Sequence, residues 1–284
     1  MDRSLTIRAA AADFHARQCG DAPRAIFLHG FGGDLHTWDG VWSELAGALP
    51  ALRYDLRGFG RSVSGQQAPF SHADDLLAIL DAAGVERCEL VGVSMGGSVA
   101  LNFALDHPGR VRKLVLVSPG LVAWEWSADW QESWRPIVER ARAGALDEAR
   151  RLWWEHPLFA TTRRSAAGQA LFESIMRFSG AAWIRDDQRP MLPDVDRLHL
   201  LQARTLLLTG GRDLADFALI ASLIEAAAPA VRRIHRPEAG HMLHLEDAAG
   251  CARDILSFLG ECHGAGASRR DPAVPARART VKDL

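Results

Sequence analysis

No apolar run in this chain reaches 18 residues, so no segment reads as a transmembrane helix. Cysteine is scarce: Cys19, Cys88, Cys251 and Cys262 are widely spaced and form no CxxC pair, which removes the usual zinc and dithiol motifs. There is no basic excess either. The 33 Lys and Arg face 35 Asp and Glu, and a net charge of −2 gives no field to hold nucleic acid by counterion release. The first twenty residues lack the apolar stretch of a secretory signal, and no internal repeat is visible. Together these absences predict a cytoplasmic protein with reduced thiols, no metal, and neither nucleic acid nor membrane as a partner.

What remains is globular material. The 284 residues are 48% hydrophobic and 24% charged, enough for one α/β core with an insertion. Short apolar runs at 25–28, 51–55, 89–93, 113–117, 205–209 and 232–235 read as strands. Between them, 38–49, 71–83, 95–106, 215–227 and 246–259 read as helices, with Leu76, Leu77, Leu80 and Ala83 recurring at helical spacing. That alternation predicts βαβ units around a mostly parallel sheet. It breaks near Gly120 and resumes near Ala203. The interval holds seven of the nine tryptophans (Trp124, Trp126, Trp130, Trp134, Trp153, Trp154, Trp183) and reads as a helical cap at 121–202 inserted into a core of 1–120 and 203–262. The tail, 263–284, has no apolar periodicity and is expected to be disordered.

Gly92-Val93-Ser94-Met95-Gly96, followed by Gly97, stands between a strand-like CELVGV and a helix-like SVALNFAL. A nucleophile on so tight a turn needs small neighbours, and the helix dipole behind it favours developing negative charge. A serine hydroxyl also needs a base to take its proton and an acid to orient the base. His241 follows the last predicted strand, and Asp213 follows the strand before it. Both lie beyond the C-terminal ends of strands, where parallel sheets assemble their sites. The order Ser94, Asp213, His241 is the one this architecture uses. His244 is the weaker base, expected at the start of a helix, and Asp216 more plausibly complements a helix dipole. The nine remaining histidines are expected to be mostly solvated.

The third element is His29-Gly30-Phe31-Gly32-Gly33, directly after the strand AIFL. Its glycines let backbone N–H groups approach an acyl group, so the Phe31 and Met95 amides are the candidate oxyanion hole. His29 reads as a structural hydrogen-bonder beneath that loop.

These motifs, with Trp38, the segment Asp55-Leu56-Arg57-Gly58-Phe59-Gly60-Arg61-Ser62 and the terminal GHMLHLED, resemble the α/β-hydrolase fold family in its helical-cap branch. The resemblance covers roughly residues 20–120 and 203–260. It implies an α/β-hydrolase fold with an inserted cap, a Ser-Asp-His triad at Ser94, Asp213 and His241, no cofactor, and a structural turn at 55–62. Within the family, epoxide hydrolases and haloalkane dehalogenases carry an aspartate where this chain has Ser94. Carbon–carbon bond hydrolases usually have Trp where this chain has Met242, and use a cap arginine for which Arg185 or Arg189 would stand in. The HGFGGDLHTW stretch also resembles the acyltransferase part of acetoin-cleaving complexes.

The expectation is therefore a serine hydrolase of small or medium carboxylic esters, lactones or thioesters, acting as monomer or homodimer on a small molecule. A carbon–carbon bond hydrolase, an acyltransferase or a non-catalytic ligand-binding module are the alternatives. Most cap tryptophans are expected to be packing, with Trp124, Trp183 and Met242 as the substrate-pocket candidates. Arg185-Asp186-Asp187 reads as a solvated or hinge-stabilising cluster.

Overall fold

In the computed structural model, residues 2–45, 47–64, 69–185 and 187–261 are described. Asp186, Cys262 and the 263–284 tail lie outside them.

A two-strand hairpin opens the chain, β1 (Asp2–Ala9) and β2 (Ala12–Cys19). The central strands follow in alternation with helices: β3 (Ala25–Leu28), α1 (Asp39–Leu45), β4 (Ala51–Tyr54), the two-residue β5 (Val63–Ser64), α2 (His72–Ala82), β6 (Cys88–Val93), α3 (Met95–Asp106) and β7 (Val111–Val117). Four helices then come without a strand: α4 (Ala128–Arg142), α5 (Leu146–Glu155), α6 (Gly168–Arg177) and α7 (Ala181–Ile184). The alternation resumes with β8 (Arg204–Gly210), α8 (Ala215–Ala227), β9 (Val231–Arg236), α9 (Leu243–Glu246) and α10 (Ala248–Gly260).

The sheet order is β1-β2-β4-β3-β6-β7-β8-β9, with β5 pairing β2. From β4 to β9 all neighbours are parallel, and the β1–β2 and β2–β4 pairs are antiparallel. The parallel strands are apolar on both sides because helices cover both faces. In β3, Ala25 and Phe27 turn toward the layer of α1 and α10, where Trp42, Leu45, Ile255 and Phe258 are buried. Ile26 and Leu28 turn the other way, toward Leu76 and Leu80 of α2, Leu101 of α3 and Ile220 of α8. Among the described residues no helix is long and apolar enough to cross a membrane, and three cysteines are unpaired.

The N-terminal hairpin escapes the sequence pattern for a local reason. Its two-residue turn is Ala10-Ala11, both at positive φ (46° and 56°), where such turns ordinarily carry Asn or Gly. Two boundaries also move. The helix expected over 38–49 is a 3₁₀ turn at Leu35–Trp38, capped by Asp34, followed by the short α1. The helix expected from 246 starts at 248, because Asp247 leaves the helical conformation and its carboxylate caps Gly250 N–H at 3.0 Å.

Candidate active site

The turn after β6 places Ser94 at φ 53°, ψ −118°, a conformation that side-chain-bearing residues avoid. Its surroundings hold it there. Ser94 N–H donates to Val117 O at 3.0 Å, and Ser94 O accepts from Ser98 and Gly120 N–H at 2.9 and 3.1 Å. The flanking glycines are required by space: a Cβ on Gly92 would lie 2.3 Å from Gly96 O, and one on Gly96 2.4 Å from Leu28 O.

Beyond the ends of β8 and β9, the Asp213 carboxylate faces His241 Nδ1 with both oxygens at 3.0 Å. The two side chains are 4% and 1% exposed. A carboxylate can only accept, so Nδ1 carries the proton of this bond. Among the described residues Nε2 has no hydrogen-bond partner, and it is buried. Asp213 Oδ1 also accepts Leu214 N–H at 2.8 Å, which fixes the carboxylate. Asp213 does not line the main cavity; it lines a separate recess of about 110 Å³.

The loop after β3 closes the remaining side. Gly30 lies against Ser94, with an ideal Cβ 3.3 Å from Ser94 Cβ. Neither the Phe31 nor the Met95 amide is engaged by another described residue. His29, fully buried, braces the loop: Nε2 accepts Leu56 N–H at 2.9 Å, so Nδ1–H donates to Gly30 O at 2.8 Å. The 55–62 turn is knit by Asp55, which accepts from Leu35 and Arg61 N–H, and by Ser62 Oγ, which donates to Asp55 O.

Ser94, His241, Phe31, Met95, Trp124, Trp183 and Met242 all line one cavity of about 1700 Å³ beneath α4–α7. Their roles in its wall differ. Trp183 is 2% exposed, wedged against Phe178 at 4.7 Å between ring centroids. Trp124 is tied at its polar edge, its Nε1–H donating to Asp216 Oδ1 at 3.1 Å. Asp216 also accepts Ser127 N–H at 3.1 Å and Ser127 Oγ–H at 2.6 Å, and so latches the start of the cap to α8. Burial pushes the Asp216 carboxyl up, but these bonds from Ser127 and Trp124 outweigh it and hold it below the usual range. Arg185 and Arg189 reach the cavity rim already paired with Asp187 and Asp74.

Several wall residues are not ones the sequence singled out. Trp126, Trp130, Trp134 and Phe217 line the cavity, and Phe217 packs on His241 at 4.2 Å between ring centroids. Spacing by four does mark 126, 130 and 134 as one helix face, but core packing produces the same spacing. The histidines also depart from expectation. His15, His29, His72 and His156 are buried, half of the eight described apart from His241 and His244. His244 is buried as well, 4.7 Å from the Trp38 ring. Burial pulls His72 and His244 down to about 3 and His156 to about 4. Among the described residues, no group of three or more His, Cys, Asp or Glu is placed to hold a metal ion.

Residues 23–248 match the family model described as alpha/beta hydrolase fold. The chain is 32% identical over 257 residues to the dihydrolipoyllysine-residue acetyltransferase component of an acetoin cleaving system from Cupriavidus necator, a match covering 82% of this chain but only 63% of that protein. It is 31% identical over 245 residues to a 2-succinyl-6-hydroxy-2,4-cyclohexadiene-1-carboxylate synthase from Klebsiella pneumoniae, covering 83% of this chain and 94% of the other. Among solved structures, an enol-lactonase from Burkholderia xenovorans superimposes with a TM-score of 0.78 at 21% identity, over 90% of this chain and 100% of that one. At that identity the likeness speaks for the fold alone. Fold, motif order and family match agree: the chain belongs to the α/β-hydrolase-fold family.

Proposed function

We propose that the chain is a serine hydrolase acting on a carboxylic ester, lactone or thioester through an acyl-enzyme. The observation that carries this reading is the Asp213–His241 hydrogen bond, with His241 lining the same cavity as Ser94. In this mechanism His241 Nε2 takes the Ser94 proton as Oγ attacks the carbonyl carbon. The Asp213 carboxylate holds the tautomer and stabilises the imidazolium. The Phe31 and Met95 amides receive the oxyanion at the start of α3. His241 then gives its proton to the leaving alcohol or thiol and deprotonates a water, which attacks the acyl carbon and releases the acid. No step needs a cofactor.

Hydrogen bonds of this kind often tighten only when substrate is bound, so the unbonded Nε2 does not count against the assignment. The carbon–carbon bond hydrolase reading gains nothing from the rim arginines, since both already face carboxylates. The test is covalent. A fluorophosphonate should label Ser94 in the native chain and fail to label Ser94→Ala. p-Nitrophenyl ester turnover should fall by ~10⁴-fold or more in that variant, with the fold retained. A tenth of the activity surviving in purified Ser94→Ala would overturn the mechanism.

A further inference from the structure

The cap holds an unusual arrangement of rings. Trp126, Trp130 and Trp134 stand four residues apart on α4 and the turn before it, with their rings nearly parallel. Trp126 and Trp130 are 4.4 Å apart between centroids with planes 22° apart, and Trp130 and Trp134 are 6.0 Å apart with planes at 16°. All three remain half-buried and line the cavity, whereas Trp153 and Trp183 beside them are 2% exposed. Three indoles left partly open on a cavity wall leave apolar surface that a ligand can cover.

Both ends of the stack reach the chemistry. At one end Phe217 meets Trp126 at 5.4 Å and Trp130 at 5.7 Å, and it meets His241 at 4.2 Å. At the other, Trp134 meets Phe31 edge-on at 5.2 Å, and the Phe31 amide belongs to the proposed oxyanion hole. A ring lying along this wall is therefore held between the base and the oxyanion donors. The stack is also braced from behind. His156 packs on Trp130 at 5.3 Å and Trp153 at 5.1 Å. Its Nδ1 accepts Leu158 N–H, so Nε2–H donates to Ser133 Oγ, which in turn donates to Trp130 O. Every hydrogen on that chain is committed, so the wall is preorganised.

We propose that Trp126, Trp130, Trp134 and Phe217 form a recognition platform for a planar aromatic ring carried by the substrate, in its acyl or its leaving part. The proposal rests on the hydrolase reading above and supplies its substrate class. Ring-on-ring contact gains more than the area it buries, which an alkyl chain or saturated ring of equal size cannot match. The charged residues of α4 on the cavity wall are of both signs, Glu132 and Glu139 with Arg135 and Arg142, so the wall selects for flat apolar shape and not for charge.

The test separates binding from turnover. In the Ser94→Ala chain, N-(2-naphthyl)acetamide and its decahydronaphthyl counterpart are titrated by calorimetry. The aromatic amide should bind at least ~10-fold more tightly, about 1.4 kcal/mol. Adding Trp130→Leu should reduce that preference to under ~3-fold, and Trp130→Phe should keep most of it, with thermal melts showing each variant folded. Trp126→Leu, at the Phe217 end of the stack, serves if Trp130→Leu fails to fold. Equal binding of the two amides, or a preference that survives both leucine variants, would overturn the platform. A naphthyl preference together with no fluorophosphonate labelling of the native chain would leave the platform standing and remove the hydrolase reading instead.

Discussion

Trp38 and Trp42 of the core pack edge-on against Phe27 at 5.2 and 5.9 Å, beneath the sheet and away from the cavity. Trp126, Trp130 and Trp134 of the cap make ring contacts just as short, yet stay half open above the cavity. The same residue type thus serves two ends. In the core an indole fills volume between layers whose positions the sheet already dictates. In the cap no sheet exists, and rings supply both the packing and the wall. The proposed catalytic groups follow the same division. Ser94, Asp213 and His241 sit on turns held by backbone hydrogen bonds at strand ends, while the surface a substrate would touch is largely side chain borne on helices. Under the proposed function, the sheet edge places the chemistry and the cap supplies the wall a substrate meets.

The largest effect separating the halves should come from two aspartates three residues apart. Asp213→Asn should lower kcat by ~10³–10⁴-fold, since an amide can hold His241 in the wrong tautomer. Asp216→Asn loosens the cap from α8 and should cost about 10-fold, mainly in KM, because a weakened latch disturbs the wall and leaves the base oriented. Steady-state kinetics on one ester decide it. If Asp216→Asn is the more damaging, the acid has been misassigned.

Acid should weaken both halves next. An unfolded imidazole titrates near 6.5, whereas burial keeps His72 and His244 neutral to about 3 and His156 to about 4. Between those values the unfolded chain binds more protons, so stability is greatest above about pH 6.5 and falls as the pH drops below it. At pH 5 each histidine should cost up to about 2 kcal/mol. His244→Phe in the core should flatten the drop in melting temperature between pH 7.5 and 5, since neither ring nitrogen has a hydrogen-bond partner among the described residues. His156→Phe should flatten it by a similar amount, because either single variant leaves two of the three lowered histidines. Equal pH dependence in wild type and His244→Phe would contradict this account.

The smallest expected change is a gain. Ala10→Asn with Ala11→Gly should raise stability by about 0.5–2 kcal/mol, because both positions have positive φ and the replacements adopt it more readily. A lower melting temperature in the double variant would show that the alanines are held by contacts and not merely tolerated.

That hairpin also shows where the sequence is silent. β3, β6, β7 and β8 are legible because parallel strands covered on both faces must be apolar throughout, and few other segments have a reason to be. The elbow is legible because close backbone approach at Gly92 and Gly96 leaves no alternative residue. The order of Ser94, Asp213 and His241 follows from strand ends on one edge of the sheet. β1 carries Arg3, Ser4, Thr6 and Arg8 on an exposed edge strand and turns on two alanines, so neither its pattern nor its turn announces it. In the cap, packing and pocket lining both demand apolar residues on one helix face. Only coordinates separate Trp183, buried, from Trp130, half open. Buried neutral histidines such as His72 and His244 leave no trace in spacing at all.

Asp194, wholly buried in the strap that returns from the cap, accepts Asn102 Nδ2–H at 2.8 Å and Val122 N–H at 2.9 Å, and its own N–H donates to Val122 O at 3.2 Å. The two ends of the insertion therefore meet as a single rung over α3. Everything between them is a loop whose closure is already settled at its base, so its length and content can change at little cost to the sheet. This geometry predicts that the cap can be exchanged as a unit. A relative's cap grafted between positions 122 and 194 should fold on this core, and its transplanted walls would bring their own substrate preference to the same proposed triad.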